Sequence, residues 1–275
     1  MLRNAKSIEG LELHAREGAI GIVKDVYFDD ERWHLRYFIV QTGSWLTGRM
    51  VLISPASIHS PLWDRQVLTT ELTREQVRNS PQIDMARPVS RQQELELNRY
   101  YVWPYYWTAP TLGTGYIASI SPFAAPSAAA MRSLSSPPPG AGERERADSS
   151  YVADLKESAK DDPHLRSAHA VRGYHIEAAD GSIGHVEDFL VEETSWAVRY
   201  LLVDTRNWWP GKKVLVPLSS ITAIEWNGST VRVDLTRDAI KTGPEFDPRR
   251  AVAGDYTDRL EAHYHRSREA SRSRG

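Results

Sequence analysis

The chain contains no cysteine among its 275 residues, which removes disulfide bonds, thiolate nucleophiles and every cysteine-ligated zinc or iron–sulfur centre from consideration. The absence fits a reducing compartment, and a cytoplasmic protein is expected. Equally missing is any stretch near the roughly 18 consecutive apolar residues that a membrane-spanning helix requires. Met1-Leu2-Arg3-Asn4-Ala5-Lys6 leads into a polar pattern without the apolar region of a secretion signal, so no membrane insertion is expected. Charge of one sign is lacking too: 34 Lys and Arg stand against 36 Asp and Glu, a formal net charge of −2. Residues 2–101 carry 13 groups of each sign and residues 165–264 carry 12 basic against 15 acidic. Neither stretch has the basic excess with which a surface neutralises phosphates, and nucleic acid is not the expected partner.

What is present is a duplication. Residues 2–101 align with 165–264 without a gap at an offset of 163, and roughly three positions in ten are identical, the kind of self-similarity that marks a repeated unit. The register is fixed by Gly10/Gly173, Gly18/Gly181, Gly21/Gly184, Asp25/Asp188, Trp33/Trp196, Arg36/Arg199, Tyr37/Tyr200, Thr42/Thr205, Trp45/Trp208, Gly48/Gly211 and Trp63/Trp226. Apolar character persists at Ile20, Val23, Val26, Phe28, Leu35, Tyr37, Ile39, Val51, Leu52, Ile53 and Ile58 and their partners, which makes these the candidate core.

Glu17-Gly18 and Asp180-Gly181 are hairpin-type turn signals. Each precedes a β-rich run (19–28; 182–191), an acidic turn, and a second run (33–41; 196–204), read as the long central hairpin of each repeat. A Trp- and Gly-bearing loop, a short strand (49–53; 212–216) and a hairpin arm follow. Many short strands with frequent turns predict an all-β chain of two tandem small six-stranded β-barrels, closed or nearly closed, closure being what removes exposed strand edges. Thr73 and Thr236 are expected to cap short helical turns, and Ser90–Tyr101 to form an accessory helix with a weaker counterpart at Gly254–His265. The domain boundaries read as 1–101, a flexible linker at 102–162, 163–265, and a basic disordered tail at 266–275. The linker is rich in Pro and Ala but opens with the aromatic run Val102 to Trp107, which either docks a partner or the second barrel, or packs back on its own repeat.

Gly21 to Asp25, Trp33, Arg36-Tyr37-Phe38-Ile39-Val40-Gln41-Thr42-Gly43, Trp45, Gly48-Arg49 and Val51-Leu52-Ile53-Ser54-Pro55 together resemble the pattern of the PRC-barrel family. The second copy repeats it from Gly184 to Asp188, then Trp196, Arg199-Tyr200, Trp208, Gly211-Lys212 and Val214 to Pro217. The stretch from Ser80 to Pro104 resembles the extension of stand-alone bacterial members. The resemblance implies a six-stranded β-barrel module, as in the cytoplasmic part of the photosynthetic reaction-centre H subunit and the C-terminal domain of a ribosome maturation factor. It implies protein–protein contact more than chemistry, and fold alone does not give function.

Asp25 and Asp188 share a register but have no matched carboxylate or His beside them. They are expected to bond turn backbone or to pair with Arg36 and Arg199, since buried carboxylates are usually paired. His14, His34 and His59 become Glu177, Ala197 and Thr222 in the second copy, so no catalytic or metal-binding His is shared. Ser57 and Ser220 are shared but sit in no nucleophile elbow, and no phosphate loop, dinucleotide fingerprint or calcium loop is present. No catalytic residue, metal site or cofactor is therefore assigned. The structural anchors are Gly21, Asp25, Arg36 and Tyr37 with Gly184, Asp188, Arg199 and Tyr200. The interaction candidates are the loops bearing Trp45 and Arg49, and Trp208, Trp209 and Lys212, because aromatic and basic loop residues make interface anchors; the alternative is that Trp45 and Trp208 cover an open end of the core. The function expected is a non-catalytic adaptor or scaffold for an unknown protein partner. The two barrels either pair within the chain or support a homodimer. The alternatives are a ribosome- or RNA-associated assembly factor, or an accessory factor of a photosynthetic or electron-transport complex.

Overall fold

The computed structural model describes residues 1–81, 89–103, 165–205, 212–247 and 254–272. In the first repeat the hairpin signal at Glu17-Gly18 joins β2 (Glu12–Ala15) to β3 (Gly18–Asp29), and the acidic turn joins β3 to β4 (His34–Thr42). β5 (Met50–Ile53), β6 (Ile58–Leu62) and β7 (Val67–Thr70) follow. They hydrogen-bond in the order β5-β4-β3-β2-β7-β6, antiparallel throughout except for the parallel β2 and β7. The second repeat copies this with β9 (His175–Ala178), β10 (Gly181–Glu192), β11 (Val198–Asp204), β12 (Lys213–Pro217), β13 (Ile221–Glu225) and β14 (Thr230–Val233), in the order β12-β11-β10-β9-β14-β13.

The glycine anchors have a steric cause. A Cβ built at Gly21 would lie 2.0 Å from the Gln41 carbonyl oxygen, and one at Gly184 would lie 2.1 Å from that of Asp204. The long strand thus crosses its hairpin partner closer than any side chain permits, bends, and brings the sheet round.

The all-β expectation holds, with one correction to the barrel. Among the described residues no ladder joins β5 to β6 or β12 to β13, so each sheet stays open as a chain of pairs. The connection is only residues 54–57, a single turn of 3-10 helix at Pro55–Ser57, and Pro61 in β6 has no N–H to offer a ladder. Helices pack on the sheet instead. α2 (Arg91–Tyr101) carries buried Leu97 and Tyr101 into the first core, and α5 (Gly254–Arg272) carries Leu260 and Tyr264 into the second. The Tyr264 hydroxyl donates to the Leu215 carbonyl on β12 at 2.8 Å. α5 continues to Arg272, into the stretch expected to be a basic tail, whose last three residues lie outside the described ones. The shorter helices α1 (Arg74–Asn79) and α4 (Arg237–Thr242) start where the threonines dictate. Thr73 Oγ1 accepts from the Gln76 N–H at 3.1 Å while the Gln76 side chain accepts from the Thr73 N–H, a complete capping box.

A seventh strand completes each sheet, and it comes from the other repeat. β1 (Leu2–Asn4) pairs antiparallel with β10, Leu2 opposite Glu192, while β8 (Leu165–Ser167) pairs with β3, Leu165 opposite Asp29. The buried apolar side chains of both repeats accordingly form one continuous cluster.

Candidate interaction interface

Several shared residues, Trp33/Trp196, Arg3/Arg166 and Asp25/Asp188 among them, lie at the seam where the repeats exchange strands. At the tip of the β3–β4 hairpin Trp33 adopts φ 56°, and Trp196 adopts φ 58° at the equivalent tip. For a bulky side chain this left-handed conformation costs about 1–2 kcal/mol, so something must hold it. Each tip tryptophan offers its carbonyl to the other repeat: the Val198 N–H donates to Trp33 at 2.7 Å and the Leu35 N–H to Trp196 at 2.9 Å. His34 and Ala197, which are equivalent positions, form the β-bridge between the tips, so a pseudo-two-fold axis passes between them. Around it Trp33 stacks on Phe28 at 5.3 Å, Phe28 meets Phe189 at 5.2 Å, and Trp196 packs edge-on against Phe38 at 5.1 Å and near Trp63 at 6.2 Å.

Two arginines on the exchanged strands lock the arrangement. Arg3 pairs with Glu193 at 2.5 Å and lies 4.0 Å above the Trp63 ring; Arg166 pairs with Asp30 at 2.8 Å and lies 3.9 Å above Trp226. Each guanidinium therefore grips an acid of the other repeat and an aromatic face of its own. Sequence reasoning did not select Arg3 and Arg166, nor Asp30 and Glu193. The signal was there in the recurrence of Arg in both copies at an otherwise unremarkable terminus.

Asp25 and Asp188 do not pair with Arg36 and Arg199. Asp25 accepts from the Ser167 hydroxyl at 2.5 Å, the His169 N–H at 3.2 Å and its neighbour's Val26 N–H at 2.8 Å. It thus holds the start of the short helix α3 (Ala168–Val171) that follows the exchanged strand. Asp188 accepts from the equivalent Lys6 N–H at 3.1 Å and from Arg172 at 3.3 Å. Burial pushes the pKa of both carboxyls up, against the lowering effect of these donors. Arg36 and Arg199 instead pair across their own hairpins with Asp29 and Glu192. The anchors Tyr37 and Tyr200 hold the accessory helices, donating to Glu94 at 3.2 Å and to Glu261 at 3.0 Å.

The loop candidates are likewise engaged. The Trp45 indole N–H donates to the Ile20 carbonyl at 2.8 Å, and the half-buried ring packs on the core, the covering role weighed for it. Arg49 donates to the carbonyls of Ser80 and Pro81, both at 2.8 Å, and Lys212 Nζ donates to the Gly243 carbonyl at 2.6 Å. Ser80 and Gly243 are equivalent, so in both repeats the base holds the C-terminal end of a helix where carbonyls lack partners. Trp208 and Trp209 lie outside the described residues, as does most of 102–162. Of the aromatic run, Trp103 packs back on its own repeat, donating to Ser57 Oγ at 2.5 Å and stacking on Tyr101 at 4.3 Å. A groove of about 540 Å³ lies on the second repeat, lined by Glu177, Thr222, Glu225, Thr230 and Arg232. The first repeat has His14, His59, Leu62, Val67 and Thr69 at those positions, so the groove is not a shared site. No group of three or more metal-ligating side chains occurs among the described residues, and no helix there is long and apolar enough to cross a membrane.

Compared with known families, residues 164–240 match the PRC-barrel domain. A comparison with curated proteins found no match.

Proposed function

We propose, from the match of residues 164–240 to the PRC-barrel domain and the repetition of the same strand order in the first half, a non-catalytic interaction scaffold, in which two clasped repeats present one rigid surface to a protein partner. One observation carries the reading. The polar side chains shared by the repeats and described here, among them Arg3/Arg166, Asp25/Asp188, Arg36/Arg199 and Arg49/Lys212, are committed to holding strands, helices and repeats together. Duplication has preserved a framework, and a framework serves binding more directly than turnover. A fused pair also presents two related surfaces at fixed spacing, which a partner with two contact points reads with avidity.

The test is affinity capture on the immobilised full-length chain beside the Arg3→Ala/Arg166→Ala variant, with retained proteins identified by mass spectrometry. The scaffold reading expects a defined protein held in near-stoichiometric amount by the intact chain and lost when the seam is loosened. Retention of nothing above an unrelated β-protein, or equal retention by both chains, contradicts it.

A further inference from the structure

The pseudo-two-fold axis makes each repeat the binding partner of the other, and the residues that touch across it are not alike. Glu9 and Arg172 occupy equivalent positions, yet they form an ion pair with each other at 2.5 Å, with side chains only 20% and 14% exposed. Around them stand Asp25 from the first repeat and Asp188 from the second, the latter 3.3 Å from Arg172. The first repeat thus brings two acids and no base to the axis, and the second brings an acid and the only base of the four. If the first repeat faced a copy of itself, four carboxylates would meet in a largely dehydrated seam, where unpaired like charge is most costly.

The apolar contacts show the same asymmetry. Phe28 touches Phe189 at 5.2 Å, but the two are not equivalent: the position of Phe28 is Val191 in the second repeat, and that of Phe189 is Val26 in the first. All four are fully buried. Pairing like with like would therefore replace the Phe–Phe contact by two Phe–Val contacts, redistributing volume in a seam that has no slack to absorb it. At the axis itself His34 meets Ala197, whereas two first repeats would bring two imidazoles together.

We propose that the seam is a heterotypic recognition surface, with Glu9 and Arg172 as its specificity-determining pair: the first repeat takes a second repeat as partner, from its own chain or another copy, and does not take a first. The two repeats have diverged into complementary halves, with specificity resting on repulsion in the wrong pairing as much as attraction in the right one.

The test is a charge-exchange cycle on the full chain, read by urea unfolding. Arg172→Glu, which recreates the four-acid arrangement, is expected to lower the folding equilibrium constant at least tenfold, and Glu9→Arg to lower it as well. The exchange Glu9→Arg/Arg172→Glu is expected to recover to within about threefold, because the axis makes the two pockets equivalent. That recovery also separates lost recognition from a lost fold, since the double variant carries both changes. Single variants as stable as wild type, or a double variant no more stable than either single, would each overturn the proposal.

Discussion

Arg166→Ala removes a single side chain that belongs to the second repeat's sequence, to the first repeat's sheet and to an aromatic face of the second. Its guanidinium donates to Asp30 at 2.8 Å with both side chains under 15% exposed, and a charged hydrogen bond so placed contributes about 1.5–3 kcal/mol. Its position 3.9 Å over Trp226 adds roughly 0.5–2 kcal/mol. The two share one desolvated group and do not sum in full, so the expected loss is about 2–3 kcal/mol. Arg3→Ala, whose side chain is 31% exposed, should cost about half as much, because solvent screens what it loses. The assay is urea unfolding followed at once by tryptophan fluorescence and far-ultraviolet circular dichroism. With the cores continuous and the strands exchanged, the curve should remain a single transition, moved to lower urea by about 1 M for a slope of roughly 2–3 kcal/mol per M. Two separated transitions, only one of them moved by the substitution, would refute the reasoning, because the repeats would then be folding as independent units.

Other outcomes follow from single contacts. Gly21→Ala and Gly184→Ala should each destabilise by about 2–3 kcal/mol through overpacking against a backbone carbonyl. Gly184→Ala should cost about 1 kcal/mol more, because Gly184 alone of the two has a positive φ, +83°; denaturant midpoints of the two variants check the order. Arg49→Ala should lower stability by about 1–2 kcal/mol by leaving the carbonyls at the end of α1 without a donor, and Arg49→Lys should restore part of it, as Lys212 does this work in the second repeat. The His34 pKa is lowered, chiefly by burial, so below the ordinary 6.5 the unfolded chain binds the proton more readily. Stability should be complete above that pH and fall as pH drops through the window beneath it. Denaturant midpoints measured across the window should show that slope in the wild type and its loss in His34→Ala.

Much of the fold was legible because it is written locally. Hairpin glycines, threonine caps and alternating apolar positions act within a few residues, and two copies in one register made each signal readable twice. The exchange of strands was not legible. Leu2–Asn4 and Leu165–Ser167 are three residues each, and an apolar-polar pattern that short fits either sheet equally well. What selects the partner lies far along the chain, as with Asp25 and Ser167, 142 residues apart. That distance is also why Arg36 stands beside backbone donors as a candidate partner for Asp25 in the sequence: the local arginine is visible there, and the donors from the other repeat, the Ser167 hydroxyl and the His169 N–H, are not. Trp33 and Trp196 stood out as anchors, but their conformation and the carbonyls they offer across the axis are properties of the pair. The open ladders were equally hidden, because the pattern of strands does not reveal whether the last two meet or a helix packs on the sheet in their place.

The exchanged strand can be tested directly, since a chain without cysteine accepts engineered pairs free of background. Leu2 lies opposite Glu192, and the equivalent residue in its own repeat is Asp29, the position it would face had the strand stayed home. Opposite residues of antiparallel strands, about 4.5–5.5 Å apart at Cα, are within disulfide reach, and Glu192 and Asp29 are both arginine partners, so the two substitutions are matched in kind. Under mild oxidation Leu2→Cys/Glu192→Cys should close a disulfide within one chain, and Leu2→Cys/Asp29→Cys should stay reduced. The reverse pattern would contradict the exchange and with it the account of the seam.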